Sequence, residues 1–477
     1  MKIVMVASEA RPFCKTGGLA DVVYSLSKEL VVLNEDVSVI IPFYKSVRET
    51  IKNPVEFVDS FIVDMSWRHH EAKVYRTKQD GITYYFVEHW YFDRYNLYGD
   101  GDDGERFAFF ALAVREFLMR RKETPDIIHV HDWQAGMLPC LIKSINWYRD
   151  RFHKTKFVMT IHNPAFQGML DRDALGDVYN LPVSLFDDGL VRLDGRVSTL
   201  NAGIVFADKV TTVSPTHRHE LLTPEGGMHL DGVLRLREWD FCGILNGIDY
   251  LEFNPSDDKQ IFAQYDVNTL VEGKRKNREA LLKELNLNYY DRPLYSLVSR
   301  LTWQKGLDIL FPAIIELAER GCNIVILGSG ERQYELEFER LRARYPDKIA
   351  IYIGYNDMLA HKIYAASDFF FMPSLFEPCG LGQMIAQRYG TLPIVRRTGG
   401  LKDSVINFDS SNEETSNGFG FDNYHPDDMK YTSVYAYDTW FNKDIIHHLM
   451  KNAMNTDNSW ARSAKSYLGL YKEIVSK

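Results

Sequence analysis

Cysteine is scarce in this chain. Five occur in 477 residues, at positions 14, 140, 242, 322 and 379. An odd, scattered set excludes a disulfide framework and points to reduced thiols in a cytoplasm. No stretch approaches the roughly eighteen successive apolar residues of a membrane span. The N-terminal apolar run, Ile3 to Ala7, is broken by Ser8-Glu9-Ala10-Arg11 and is too short for a signal peptide. Positive charge is not in excess: 56 Lys and Arg stand against 65 Asp and Glu, net −9. That balance argues against a general affinity for nucleic acid or an anionic membrane. A dinucleotide fingerprint is also missing. Gly328-Ser329-Gly330 begins like one, but position 333 is Gln, which weakens any oxidoreductase reading. Low-complexity segments are absent.

What is present is alternation. The chain is too long for one core, so two domains are expected. In the first half, strand-like runs cover Ile3–Ala7, Val37–Phe43, short pieces within 54–87, Ile127–Val130, Lys156–Ile161 and Val210–Val213. A helical pattern covers Phe107–Met119. Residues 253–275 are polar and irregular, and a boundary is expected near Asn246-Gly247. The alternation then restarts at Leu294–Val298, Asn323–Leu327, Ile349–Ile353, Phe369–Met372 and Leu392–Val395. Two such runs imply two doubly wound α/β domains. The last stretch, with Trp460, Ala464, Tyr467, Tyr471 and Ile474 on one helical face, is either a satellite of the second domain or a strap to the first.

Polar residues sit just past the carboxyl ends of these strands, where such sheets place ligands. Lys15-Thr16-Gly17-Gly18-Leu19-Ala20-Asp21 joins the first strand to a helix. Glycines let backbone N–H groups approach an anion, and Lys15 adds charge, so the loop reads as a phosphate site or as a plain glycine turn. Arg300 and Lys305 flank a turn and suit a diphosphate, whose charge rises as a bond to it breaks. In Phe376-Glu377-Pro378-Cys379-Gly380-Leu381-Gly382, Glu377 can hold sugar hydroxyls while backbone N–H groups of 380–382 hold phosphate. Cys379 reads as an inert small residue. His162, with Asn163 after it, can donate to a sugar oxygen. His129-Val130-His131-Asp132 puts two imidazoles on one face of a strand, with no third metal ligand expected nearby. Asp171-Arg172-Asp173 resembles a metal-binding Asp-x-Asp, a cheap pattern in so acidic a chain. The segment 16–21 matches 398–403 in five of six places, which reads as two similar turns arising separately.

As a set these motifs resemble the bacterial glycogen synthase and plastid starch synthase family. The match runs from Lys-Thr-Gly-Gly-Leu-Ala-Asp at 15–21 through His-Asp-Trp at 131–133, His-Asn at 162–163 and Leu-Asn-Gly-Ile-Asp at 245–249. It continues with Ser-Arg-Leu-Thr-x-Gln-Lys-Gly at 299–306, Glu-Pro-Cys-Gly-Leu at 377–381 and Arg-Arg-Thr-Gly-Gly-Leu at 396–401, in the family's order. The resemblance implies the GT-B fold: two Rossmann-like domains facing a cleft, 1–245 on the acceptor side and 246–456 on the nucleotide-sugar side. A C-terminal helix, 457–477, returns to the first. It implies transfer of glucose from ADP-glucose to the non-reducing end of an α-1,4-glucan, with retention and with no metal or other cofactor. Neither nucleic acid nor membrane is implied as a partner.

Carried over residue by residue, Lys15, Arg300 and Lys305 resemble the cations on the diphosphate. Glu377 resembles the carboxylate on the donor glucose, and His162 the group beside that sugar. Tyr355 resembles a ring stacked on adenine. Asp132 and Asn246 resemble polar groups near sugar and acceptor. Gly18, Asp21, Cys379, Gly380, Leu381 and Gly382 complete the expected binding set. Two departures stand out. Gly382 replaces the family's usual Thr, so a side-chain hydroxyl is missing and restoring it is expected to be neutral or mildly favourable. Pro164 and Phe166 replace residues that are usually Leu or Gly and Tyr, on the acceptor side. The rival readings are a UDP-glucose transferase of the same fold and a non-catalytic glucan-binding scaffold.

Overall fold

The computed structural model describes residues 1–476. The chain divides into unit 1, Met1–Ile244 with Trp460–Lys477, and unit 2, Leu245–Ser459.

Unit 1 begins with β1 (Lys2–Val6) and β2 (Asp36–Pro42), followed by β3 (Glu56–Met65), β4 (Arg68–Gln79) and β5 (Ile82–Glu88). Then come β6 (Ile127–His131) and β7 (Lys156–Ile161). Three short strands, β8 (Met169–Leu170), β9 (Arg192–Leu193) and β10 (Arg196–Ser198), make a small antiparallel sheet. Finally β11 (Lys209–Thr212) and β12 (Phe241–Gly243) join the main sheet. Its nine strands run β12-β11-β7-β6-β1-β2-β5-β4-β3. Pairing is parallel except for the β3–β4–β5 meander. The central strands are Val- and Ile-rich and buried on both faces, as parallel strands under helices must be.

The chain steps from β1 to one side and later returns to β6 on the other, so the topological switch lies between β1 and β6. The pieces expected as short strands within 54–87 form instead a hairpin of 10- and 12-residue strands. One face of it is buried through Phe61, Val63, Met65, Ala72 and Val74, and the other carries Asp64, Glu71 and Lys73 beside an exposed Ile62. The alternation was masked by a register shift between Phe57 and Asp59.

The helix Trp460–Val475 belongs to unit 1 and is not a satellite of unit 2. It packs on the helix Gly18–Val32 and buries Trp460, Ala464, Tyr467, Tyr471 and Ile474. The Tyr471 hydroxyl lies 2.7 Å from His129 Nδ1 inside the core.

Unit 2 holds β13 (Leu294–Val298), β14 (Asn323–Gly328), β15 (Ile349–Ile353), β16 (Phe369–Met372), β17 (Leu392–Arg396) and β18 (Phe419–Phe421). They form one parallel sheet in the order β15-β14-β13-β16-β17-β18. Its switch point lies between β13 and β16. Both units are thus doubly wound, and each opens its switch point beside the strand that begins its winding.

Candidate active site

In unit 2 a cavity of about 250 Å³ opens beyond β13 and β16, the two strands that flank the switch. Arg300, Lys305, Ser374, Glu377, Gly380 and Gly382 are among the residues that line it. The loop after β13 can reach the loop after β16 because Gly306 has φ 68°. A Cβ there would lie 2.0 Å from the Pro373 carbonyl oxygen. The backbone N–H of Leu375 donates to Gln304 O at 2.9 Å, and Gln304 Nε2 donates to Phe376 O at 3.2 Å, so the two loops are pinned together.

Between them Lys305 Nζ lies 2.6 Å from Glu377 Oε2, with both side chains largely buried. Ser374 Oγ donates to the same oxygen at 3.0 Å. A buried ion pair is tolerable when such extra hydrogen bonds offset desolvation. Arg300 is exposed at the rim, with no salt bridge among the described residues.

The loop that carries Glu377 is braced from behind. Gly399 has φ 46° and lies so close that a Cβ would sit 2.0 Å from Glu377 O. Gly400 N–H donates to the carbonyls of Glu377 and Pro378, both at 3.1 Å. Arg396 Nε donates to Ser374 O at 2.8 Å, and its Nη2 donates to Leu375 O. Buried Gln383 donates to the carbonyls of Cys379 and Gly380, each at 3.1 Å, and Gly380 takes φ 74°. Cys379 is buried in this brace.

Sequence reasoning missed Ser374, Gln383 and Arg396 as site residues. It had the signal for Gly399 and Gly400 in the repeated Thr-Gly-Gly-Leu, whose use in unit 2 is to hold the backbone of Glu377. At Gly382 the structure adds a steric condition. The glycine's backbone is not left-handed, but a Cβ would meet Phe370 Cε1 at 3.1 Å and Cζ at 3.3 Å. A Thr side chain therefore meets a buried ring in β16, which must give by a few tenths of an ångström to admit it. Tyr355 is not brought to this cavity's lining. It stands on the turn after β15, 86% exposed, with its hydroxyl 3.2 Å from Asp357 Oδ1.

In unit 1 the Lys15 loop follows β1. Lys15 Nζ lies 2.7 Å from Asp21 Oδ2, and Arg11 Nη1 lies 3.1 Å from Asp21 Oδ1. The glycine turn is closed on its inner side. Glu9, buried beneath it, accepts the Thr16 N–H at 2.5 Å and the Thr16 hydroxyl at 2.8 Å, and the Gly17 N–H also donates to it. Burial raises the Glu9 pKa above the ordinary carboxylate value, against the lowering effect of those bonds. Glu9 had no sequence signal, because a lone Glu after a strand carries none. Gly18 opens the helix Gly18–Val32, and a Cβ added there would meet nothing within 4 Å, so its side of the turn is open.

Asp132 and His162 meet at the ends of β6 and β7. Asp132, at φ 53°, accepts the N–H of His162 at 2.7 Å and that of Asn163 at 3.4 Å. Burial pushes its carboxyl up to about 7, despite those two N–H donors. Burial also lowers His162 to about 3 and His131 well below the usual imidazole value.

His129 and His131 share a face as expected, their rings stacked at 4.2 Å. A third imidazole, that of His162, has its Nε2 3.0 Å from His131 Nδ1, but the three rings do not bring one nitrogen each within 4.8 Å of one another, as a shared metal would need. Both nitrogens of His129 are engaged, by Tyr471 and Thr160. Asp171 and Arg172 are spent in surface pairs with Arg196 and Asp187. Asp100, Asp102 and Asp103 gather within 4.8 Å, but each is paired with Arg94 or Arg106. Asn246, at the start of unit 2, is buried with its Oδ1 unpartnered among the described residues.

No helix among the described residues is long and apolar enough to cross a membrane. The family model of the starch synthase catalytic domain matches residues 2–236, and that of glycosyl transferases group 1 matches residues 278–433. The chain is 44% identical to the glycogen synthase of Clostridium kluyveri over 100% of both chains. It is 45% identical to the glycogen synthase of Exiguobacterium sibiricum over 100% of this chain and 99% of that one. Among solved structures, the catalytic domain of starch synthase IV from Arabidopsis thaliana, bound to ADP and acarbose, superposes with a TM-score of 0.90. It is 34% identical, covering 100% of this chain and 99% of that one. The sucrose-phosphate synthase of Thermosynechococcus elongatus shares the fold, with a TM-score of 0.60 at 15% identity. The chain therefore belongs to the bacterial glycogen synthase and starch synthase family: it is a GT-B glycosyltransferase that transfers glucosyl units in glycogen synthesis, from a nucleotide-sugar donor to a glucan.

Proposed function

We propose that the donor is ADP-glucose and that the glucose passes to the non-reducing end of an α-1,4-glucan, with retention at the anomeric carbon. The observation that carries this reading is the cavity at the β13/β16 switch, where Arg300 and the Lys305–Glu377 pair converge. A nucleoside diphosphate needs cations that meet charge as it develops on the leaving oxygen. A glucosyl group needs a carboxylate for its hydroxyls. The cavity supplies both within one side-chain length.

On this reading unit 2, residues 246–456, takes the nucleotide sugar. Unit 1, residues 1–245 with the helix in 457–477, takes the acceptor. Lys305 shares its ammonium between Glu377 and the diphosphate, having three protons to donate. Arg300 grips two phosphate oxygens with its planar fork. Backbone N–H groups of 380–382 and Lys15 complete the anion's surroundings. Glu377 holds sugar hydroxyls, and His162 donates to the same sugar. Asp132 and Asn246 are polar contacts to sugar and acceptor, and Tyr355 stacks on the adenine.

As ADP leaves, its negative charge falls among these cations, and the acceptor hydroxyl attacks from the side the leaving group vacates. Its proton passes to a phosphate oxygen, which becomes basic as the bond breaks. Water is excluded during transfer, since it competes with the glucan. We place the enzyme in the cytoplasm, in keeping with its five free thiols.

The test is nucleotide release from ADP-glucose and from UDP-glucose, each with and without glycogen. Glycogen-dependent release with kcat/KM far higher for ADP-glucose is expected. Comparable values for the two donors would contradict the assigned nucleotide, and release independent of glycogen would contradict the acceptor.

A further inference from the structure

His131 Nδ1 and His162 Nε2 face each other at 3.0 Å. Both rings are held neutral by burial, so one proton lies between them. Which ring owns it is decided at the far side of His131. There Nε2 is buried and has no hydrogen-bond partner among the described residues. Were His162 the donor, the single proton of neutral His131 would sit on that Nε2 as a buried N–H with no acceptor. Buried N–H groups without partners are rare in folded proteins, and unfilled acceptors are less so. With the proton on His131 Nδ1, the orphan is only a lone pair. His162 then accepts at Nε2, and its own proton must reside on Nδ1.

We propose that His131 is a positioning residue that fixes the tautomer of His162, so that His162 offers an Nδ1–H donor to the donor sugar. This rests on the proposed function, in which His162 faces that sugar.

The fold keeps His131 from turning to exchange roles. Its ring stacks on His129 at 4.2 Å, with 29° between planes. His129 is fixed at both nitrogens, by the Tyr471 hydroxyl at 2.7 Å and by Thr160 Oγ1 at 2.5 Å. Thr160 is bonded in turn to Thr211 Oγ1 at 2.5 Å. The C-terminal helix and three strands of the sheet thus hold one stack of rings. Without His131, neutral His162 can carry its proton on Nε2 and present an acceptor where a donor is needed.

The test reads the tautomer directly. Protein with 15N-labelled histidine is studied by long-range 1H–15N correlation, and the His162 signals are identified by their loss in His162→Gln. The proton of His162 is expected on Nδ1 in the wild type and on Nε2, or divided, in His131→Leu. In kinetics His131→Leu should lose about tenfold in kcat with KM for glycogen unchanged. His131→Asn, whose amide NH2 stands where Nδ1–H stood, should recover most of it. A wild-type proton on Nε2 overturns the proposal even if the leucine variant does not fold. A normal kcat in folded His131→Leu, with kcat much reduced in His162→Ala, overturns it and leaves the sugar-facing reading standing. An unchanged kcat in His162→Ala overturns that reading itself.

Discussion

In unit 1 the buried groups at the ends of β6 and β7 are driven towards neutrality. His131 and His162 lie below the usual imidazole value and Asp132 is raised to about 7, in each case by burial. In unit 2 the corresponding strand ends carry a cation and a carboxylate 2.6 Å apart, with Arg300 at the rim. Both units wind their sheets in the same way and open the same kind of crevice. What differs is whether a buried polar group is given a partner of opposite charge. Neutral donors and acceptors suit the non-reacting hydroxyls of a sugar, which stay uncharged throughout the transfer. A preformed ion pair suits a leaving diphosphate, whose charge grows during the reaction. One architecture thus presents two chemistries, set by a few side chains past the strand ends.

Substitutions can break this contrast. Arg300→Ala removes an exposed cation that has no ion pair among the described residues. We expect kcat to fall on the order of 10²- to 10³-fold, with KM for ADP-glucose moving less and the melting temperature unchanged. Steady-state kinetics beside a thermal melt check this, and a variant that loses affinity but keeps kcat would place Arg300 in ground-state binding only.

Asp132→Asn probes the neutral side and should cost about tenfold in kcat/KM, because the amide can still accept from His162 N–H but is a weaker acceptor for a hydroxyl. The pH dependence has a definite sign. The folded-state value of Asp132, about 7, lies above its ordinary value of 3.8. Between those values the folded state holds a proton that the unfolded chain has lost, so this group's contribution to stability declines as pH rises. Melting curves from pH 5 to 8 should therefore show Asp132→Asn gaining on the wild type as pH increases. A constant difference would mean that the carboxyl titrates in the ordinary range.

The smallest effect is expected at Gly382. Gly382→Thr should keep activity within about threefold of wild type while lowering stability by about 1–3 kcal/mol, the usual range for overpacking, since Phe370 must move. Gly382→Thr with Phe370→Leu should regain part of that loss. A single variant as stable as the wild type would show that Phe370 yields freely.

The strands were legible because central parallel strands read as apolar runs, and the polar residues past their ends were legible by position. Leu294–Val298 and Ile349–Ile353 coincide with β13 and β15. The long hairpin was not, since its exposed face broke the apolar pattern and a register shift hid the alternation. Arg300, Lys305 and Glu377 were found because charged residues beside glycine turns stand out in sequence. That Lys305 and Glu377 pair with each other was not, since 72 residues separate them. Glu9, Ser374 and Gln383 act by accepting or donating to loop backbone or to a neighbouring side chain, and nothing in their neighbours' identity announces it. The His129–Tyr471 bond spans 342 residues and follows only from where the last helix docks.

Lys305 is the residue on which the leaving-group chemistry most directly depends. The structure shows that Lys305→Ala leaves Glu377 largely buried beside Ser374 alone, a loss on the order of 3 kcal/mol. The decisive measurement is kcat for ADP release with glycogen, with a melt, on Lys305→Ala and on Lys305→Ala combined with Glu377→Gln. We expect kcat to fall on the order of 10²- to 10³-fold in both, and the melting temperature to drop in the single variant and recover in the double. A single variant with near-normal kcat, or a double variant whose activity recovers together with its stability, would contradict a role for Lys305 on the leaving group.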